Sequence, residues 1–409
     1  MREVLLAAVD LGEERDLDLY LEECRELCRA AGLKVKVTIV QKARSLDPRT
    51  AFRSGKLEEV KRVIEEEEIG LLIFYNRLSF AMLKGLKEEL GIEVYDRVQL
   101  ILNIFEKRAS SQEARLQIEA ARLRYALPQR TKEKGSEDQI GGGSLHNRGA
   151  GESRSALIAR QNRARIAQLE KELAALRRRE EEKHHKRRRS GLKRVALVGY
   201  TNAGKSTLLN AFLPSEKGRI YADDLLFATL DATARRVSAG HYEFYLFDTV
   251  GFVSDLPHEL IEAFYSTLSC VREADLLVVV NDLSSPVREQ QREITRSTLQ
   301  AIGAGEIPVL DIFNKADLCE EKEDYPLAVS ALTGEGLTEL KERLVEELYP
   351  KEKQVTLHLP YQGSKLLDAY RPVLEMKITE QDEEGIVLEA AGCEEYINSL
   401  LKAAQDLGQ

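Results

Sequence analysis

Val195–Leu209 reads VALVGYTNAGKSTLL. An apolar run of strand type leads into Gly199, four residues, then Gly204, Lys205 and Ser206, with a helix-compatible run after them. Glycines let a backbone come close to an anion, and successive N–H groups opening a helix point at it. A lysine at this spacing neutralises phosphate oxygens, and the hydroxyl that follows it can ligate Mg²⁺. The stretch therefore predicts a phosphate-binding loop, with Gly199, Tyr200, Thr201, Asn202, Ala203, Gly204, Lys205, Ser206 and Thr207 as its candidate contacts. A plain glycine-rich turn between a strand and a helix has the same local pattern, so the decision lies elsewhere in the chain.

Two downstream stretches decide it. The apolar run YEFYLF closes on Asp248, Thr249, Val250 and Gly251, which places an acid at a strand end for the Mg²⁺ shell and a glycine N–H near a γ-phosphate. The run IPVLDIF leads into Asn314, Lys315, Ala316 and Asp317. A carboxylate at Asp317 suits the N1–H and 2-amino donors of guanine and has no matching pair on adenine, Asn314 can tie this loop to the phosphate loop, and the Lys315 stem can cover the base. Ser330 and Ala331, after the strand-like PLAV, stand where a backbone N–H can meet the guanine O6. The expected substrate is GTP with Mg²⁺, because a buried polar mismatch discriminates strongly against the wrong base.

Ser215 to Asp231 lacks clear periodicity and reads as a switch, with Thr229 as its ligand for Mg²⁺ and the γ-phosphate. The candidate metal ligands are Ser206, Thr229 and Asp248, and the candidate catalytic groups are Lys205, Thr229 and Gly251. Phe252 occupies the position where Ras-like enzymes place a water-orienting glutamine, which implies slow hydrolysis without a partner. A core-packing phenylalanine accounts for it equally well.

The chain of 409 residues predicts two to four domains, and its 43% hydrophobic content excludes a disordered protein. No apolar run approaches the roughly eighteen residues needed to span a bilayer, and the opening MREVLLAAVDLGEE reads as a strand, not a signal peptide. A cytoplasmic monomer is expected. The scattered Cys24, Cys28, Cys270, Cys319 and Cys393 do not form a disulfide framework, and Cys24 with Cys28 reads as a buried helix face. The formal net charge of −9 argues against nucleic acid as a partner. Distribution qualifies that, since charges are screened over about 8 Å at physiological salt, and residues 153–195 hold 15 Lys or Arg against 5 Asp or Glu.

The expected fold class is α/β: a P-loop G domain with a doubly wound sheet, preceded by a small α/β domain and a long antiparallel helical hairpin, and followed by a small α+β domain. The expected limits are residues 1–97, 98–190, 191–350 and 351–409. In the first segment EVLLAAVD, VKVTIV, GLLIFYN and IEVYD are strand-like and alternate with helical spacing, which predicts a mostly parallel sheet. In the hairpin, Leu116, Ala120, Leu123 and Leu127 form one stripe that Pro128 ends, and Ile166, Leu169, Leu173 and Leu176 form the other. Between them, residues 130–152 make a glycine-rich basic loop containing Arg148, which suits either a flexible linker or an RNA contact. Arg177, Arg178, Arg179, Arg187, Arg188 and Arg189 suit either a solvated helix face or phosphate contacts, and the latter is favoured.

These residues together resemble the HflX family of translational GTPases over nearly the whole chain. The resemblance rests on GYTNAGKSTLLNAF, LFATLD, DTVGFVSDLPHELIEAF, NKAD, YDRVQLILNIFEKRA and RGAGE. It implies a GTP-dependent factor that binds the large ribosomal subunit near its peptidyl-transferase region. It further implies that the factor splits or keeps apart stalled or idle ribosomes under stress, with the hairpin loop reaching into ribosomal RNA. Ala150 and Ala232 stand where the family usually has proline. The residues themselves leave two other readings open: a GTP-regulated RNA-remodelling protein, and a switch that binds a protein partner through its N-terminal domain.

Overall fold

The computed structural model describes residues 1–12, 17–131, 154–188, 191–213, 226–227, 233–254, 265–320, 322 and 324–407. They fall into two compact units: Met1–Arg178 with Asp223–Asp231 and Ser254–Tyr265, and Arg179–Ala222 with Ala232–Val253 and Ser266–Gln409.

The first unit is built on a four-stranded sheet of β1 (Arg2–Asp10), β2 (Leu33–Lys42), β3 (Leu71–Phe74) and β4 (Glu93–Asp96), in the order β2-β1-β3-β4. All pairings are parallel, as expected. Val4 to Val9 are buried without a break. A strand covered on both faces reads as a continuous apolar run and not as an alternation. The helices α1 (Leu17–Ala30), α2 (Ser54–Glu66) and α3 (Phe80–Leu90) connect the strands. Cys24 and Cys28 lie buried on one face of α1. α3 starts where the Ser79 hydroxyl accepts from the Met82 N–H at 3.2 Å and stops at Gly91, whose φ of 67° is left-handed.

Helix α4 (Arg97–Arg108) starts from Asp96, which is fully buried and accepts from the N–H of Gln99 at 3.0 Å, the N–H of Leu78 at 3.3 Å and the hydroxyl of Tyr125. Burial pushes the Asp96 carboxyl above its usual range, and these three donors oppose the shift. Tyr125 sits on α5 (Gln112–Thr131), and there the sequence reading needs two corrections. The buried stripe is Ala114, Gln117, Ile118, Ala121 and Tyr125, with Ala120 beside it, whereas Leu116, Leu123 and Leu127 are only partly covered. The helix is oriented by the reach of Tyr125 to Asp96, which leucine counting does not see. It also continues through Pro128 to Thr131, since a proline near a helix end forfeits a single bond. On α6 (Arg154–Arg188), Ile166, Leu169 and Leu173 are buried as expected while Leu176 is only partly covered, and ion pairs Arg165–Glu119 and Arg124–Glu170, both at 2.7 Å, join it to α5.

In the second unit, β5 (Arg194–Val198), β6 (Thr233–Ala239), β7 (Tyr242–Asp248), β8 (Leu276–Asp282) and β9 (Val309–Asn314) form a sheet in the order β6-β7-β5-β8-β9. Only the β6–β7 edge is antiparallel. The helices α7 (Lys205–Ala211), α8 (Tyr265–Arg272), α9 (Arg288–Ala301) and α10 (Leu337–Leu348) accompany it. A second sheet of β10 (Lys353–Pro360), β11 (Glu375–Gln381) and β12 (Gly385–Gly392) is antiparallel, in the order β10-β12-β11. It continues through α11 (Ser364–Tyr370) to α12 (Glu394–Leu407). One continuous apolar core contains Val195, Leu197 and Phe244 together with Leu374, Leu388, Ile397 and Leu400. Tyr349 joins the two parts: its ring stacks on Tyr242 at 5.1 Å and its hydroxyl donates to Glu243 O at 2.6 Å.

Tyr125→Phe deletes one donor to a buried carboxyl and leaves the packing in place. It should lower the unfolding free energy by about 1–3 kcal/mol in urea titration, since a buried acceptor that loses its partner keeps its desolvation cost; an unchanged midpoint would refute this role.

Candidate nucleotide-binding site

The C-terminal end of β5 delivers the chain to Gly199, whose φ is 147° and whose missing Cβ would lie 2.3 Å from Val280 O. No side chain fits there. Asn202 (φ 61°) and Gly204 (φ 91°) turn the loop into α7. Lys205 then points back across the loop and is only 6% exposed, with Nζ donating to Tyr200 O at 2.7 Å and Gly199 O at 3.1 Å. Burial pushes its ammonium pKa down to about 8, and the nearby Asp248 carboxylate opposes that shift. The loop thus carries a cation with little water around it, which raises its pull on an incoming anion.

β7 brings Asp248 to the same place. Asp248 is fully buried, and the Ser206 hydroxyl donates to its Oδ2 at 2.6 Å. A carboxylate and a hydroxyl in contact form a hard-oxygen pair of the kind Mg²⁺ takes, with water and phosphate oxygens supplying the rest of an octahedron. The residues present therefore fit the ion. Thr249 Oγ1 donates to Leu197 O at 2.6 Å and fixes β7 against β5.

Gly251 closes over the loop. A Cβ there would lie 2.7 Å from Thr201 Cα and 3.0 Å from Lys205 Nζ, so Gly251 and Lys205 are brought together as a pair. Phe252 is 2% exposed, its N–H donates to Gly199 O at 3.0 Å, and the Thr201 N–H donates to Phe252 O at 2.8 Å. The phenylalanine is a packed clasp between the two segments. Thr201 Oγ1 is a buried oxygen without a hydrogen-bond partner among the described residues.

The third segment joins through Asn314, which is 2% exposed. Its Nδ2 donates to Ala203 O at 2.8 Å, and its Oδ1 accepts from the Ala331 N–H at 2.9 Å. One side chain thereby ties the phosphate loop to the loop carrying Ser330 and Ala331. Gly204 is required beneath it, since a Cβ there would lie 2.1 Å from Asn314 Nδ2. Lys315 takes a left-handed φ of 66° and pairs with Asp282 Oδ2 at 2.7 Å, while Asp317 is exposed on the short helix that follows. Asp282 ends β8 and escaped the sequence reading; its signal was the polar pair Asn281-Asp282 after an unbroken apolar run.

Thr207 and Val250 are half-buried and buried beside their neighbours. Thr229 lies outside the described residues, as do Arg148 and Arg189, the loop 132–153 and most of the segment expected as a switch. Arg177, Arg178, Arg179, Arg187 and Arg188 belong to α6, where Arg178 is exposed. No helix among the described residues is long and apolar enough to cross a membrane, and none of those residues form a cluster of three His, Cys, Asp or Glu able to hold a metal.

Comparison with known proteins gives a consistent result. Residues 18–106 match the model of a GTP-binding GTPase N-terminal domain, and residues 108–187 match that of a GTP-binding GTPase middle region. Residues 194–315 match the model described as a 50S ribosome-binding GTPase. The GTPase HflX of Caldanaerobacter subterraneus subsp. tengcongensis is 36% identical over 95% of this chain and 90% of its own length. That of Escherichia coli K12 is 34% identical over 94% of this chain and 92% of its own. The crystal structure of a GTP-binding protein from the archaeon Sulfolobus solfataricus in complex with GDP is 25% identical, covers 85% of this chain and 99% of its own, and has a TM-score of 0.44.

Asn314→Ala removes both ties between the phosphate loop and the 330–331 loop. Each buried bond is worth about 1–3 kcal/mol when one partner is left unpaired, so affinity for fluorescent GDP should fall by roughly tenfold or more. Retained affinity would mean that this tie does not order the site.

Proposed function

Because this chain belongs to the HflX family of GTPases, we propose that the site just described binds Mg·GTP and that the bound state docks on the large ribosomal subunit. The reaction is hydrolysis of GTP to GDP and phosphate. One observation carries the site assignment: three sequence-distant segments meet around the buried ammonium of Lys205, with Gly251 against it and Asn314 fastening the loop behind it.

The residues divide the work by chemistry. Residues 199–207 wrap the phosphates with backbone N–H groups, and Lys205 neutralises the β and γ oxygens. Mg²⁺, held by Ser206 and Asp248 and completed by Thr229, supplies further neutralisation of those oxygens when bound. The Gly251 N–H faces the γ-phosphate, and its release after in-line attack by water lets the switch relax. Asp317 reads the guanine edge, Lys315 covers the ring and is held by Asp282, and Ser330 and Ala331 offer N–H groups to O6. With Phe252 committed to packing, no amide stands there to orient water, so turnover by the protein alone is slow.

Binding to the large subunit is supported by the basic run on α6, by the middle-region match, and by the ribosome-binding description of the family model matched at residues 194–315. Docking in the GTP state and release after hydrolysis would split or keep apart stalled or idle ribosomes under stress. The arginines at 148, 177–179 and 187–189 are the proposed RNA contacts, and each phosphate neutralised adds to the salt sensitivity of binding.

GTP turnover should rise strongly with large subunits or whole ribosomes, fall as salt increases, and be lost in Lys205→Ala; a native protein that binds GTP and responds to no ribosomal particle would shift the reading to a protein-partner switch. Asp317→Asn replaces a double acceptor by one acceptor and one donor. It should weaken GTP and favour xanthosine triphosphate, whose 2-oxo group accepts; undiminished GTP preference would remove Asp317 from base recognition.

A further inference from the structure

Thr201 lies on the phosphate loop, two residues after Gly199, and is 6% exposed. Its N–H donates to Phe252 O at 2.8 Å, but its Oγ1 is buried and meets no hydrogen-bond partner among the described residues. A buried hydroxyl without a partner keeps the full cost of leaving water, and most such groups in folded proteins find one. Valine has the same shape and avoids that cost, so packing alone gives no reason for threonine at this position. The orphaned oxygen calls for a ligand, and its surroundings say which part of a ligand.

Three groups come together around Gly251. A Cβ there would lie 2.7 Å from Thr201 Cα, 2.7 Å from Thr201 Cγ2 and 3.0 Å from Lys205 Nζ. Oγ1 and Cγ2 share one carbon, and one staggered step of χ1 sets the oxygen where Cγ2 faces Gly251. The hydroxyl therefore belongs to the same neighbourhood as the ammonium and the glycine, both of which the proposed site turns to the γ-phosphate. A parallel bridge between Tyr200 and Phe252 keeps the loop and the Gly251 segment in register. The Ser206 and Thr249 hydroxyls beside them are already engaged, with Asp248 and with Leu197 O, and the Phe252 side chain has no donor. All of these residues belong to the second unit.

We propose that Thr201 is a catalytic residue of GTP hydrolysis, its hydroxyl donating to a γ-phosphate oxygen and stabilising the charge that gathers there in the transition state. The inference rests on the site assignment above, which gives the backbone N–H groups of the loop, not this side chain, to the phosphates. A donor fixed in place before the reaction needs no reorganisation as charge develops, and it acts most strongly away from water. No bond to the hydroxyl forms or breaks. Water attacks the γ-phosphorus in line, the bond to the β–γ bridging oxygen breaks, and the protons of the water pass to the released phosphate and to solvent. GDP has no γ-phosphate, so its affinity does not depend on this hydroxyl.

The test uses the full chain, with single-turnover hydrolysis at saturating GTP, GDP affinity and urea unfolding without nucleotide measured on each variant. Thr201→Val, which keeps the shape and removes the hydroxyl, should slow hydrolysis by about tenfold or more, the effect of losing a donor to developing charge. Its GDP affinity should stay within about twofold of native. Its unfolding midpoint should equal or exceed the native one, because the variant lacks the unpaired buried hydroxyl. Thr201→Ser keeps the oxygen and drops the methyl, and it should hydrolyse GTP about fivefold or more faster than Thr201→Val. An undiminished rate in Thr201→Val overturns the proposal. So do equal losses in Thr201→Val and Thr201→Ser, which would make the fit of the loop the cause, and a parallel loss of rate and GDP affinity, the mark of a disturbed loop. A lowered unfolding midpoint in Thr201→Val overturns it too, since the hydroxyl would then have a partner within the protein. Should Thr201→Val fail to fold, Thr201→Ala against Thr201→Ser decides by the same rate and affinity readouts. If Lys205→Ala leaves GDP affinity intact, the site assignment itself has failed, and that outcome is separate from any result at Thr201.

Discussion

A lysine ammonium kept out of water is the constraint on which the proposed nucleotide site depends. Burying a charge without an ion pair is costly, and backbone carbonyls make up only part of the lost hydration. At Lys205 that role falls to the carbonyls of Gly199 and Tyr200, with Asp248 close enough to oppose the downward shift of its pKa. The arrangement survives because glycines stand at three points where a Cβ would collide: on Val280 at 199, on Asn314 at 204 and on Thr201 at 251. The glycine pattern thus has a steric cause in the packing of neighbouring strands, beyond any contact with a ligand.

Much of this was legible in the chain. The phosphate loop, the Asp248–Gly251 stretch and the Asn314–Asp317 stretch each sit at the end of an apolar run, and runs of that type specify strands whatever lies around them. The parallel sheet of the first unit was equally readable, because Val4–Val9 is apolar throughout. The failures share a different origin. Tyr125 orients α5 through a bond to Asp96, and Arg97 reaches Ser254 across 157 positions of sequence. Neither partner advertises itself by spacing, since polar pairing across a fold has no period. Asp282 lay at a strand end like the others, but its partner Lys315 becomes visible only once β8 and β9 are neighbours.

Polar groups buried inside each unit mark where specificity outranks stability. Asp96 with its three donors and Asn314 between two loops are buried polar networks, and Arg97 with Glu23 and Ser254 forms a third. Such networks define one arrangement of the elements they join, because any slip would leave a buried donor or acceptor unpaired. The apolar clusters around them tolerate small shifts; these bonds do not.

The shared core of the second unit also bears on how the protein is made. Strand β5 packs in the same apolar cluster as Ile397 and Leu400, which are synthesised roughly two hundred residues later, and domains fold as units once their parts have emerged. The P-loop and its sheet therefore leave the ribosome before the residues that complete their packing exist. In a protein proposed to act on ribosomes, the apolar core beneath the five-stranded sheet is completed last, by the side chains of α12.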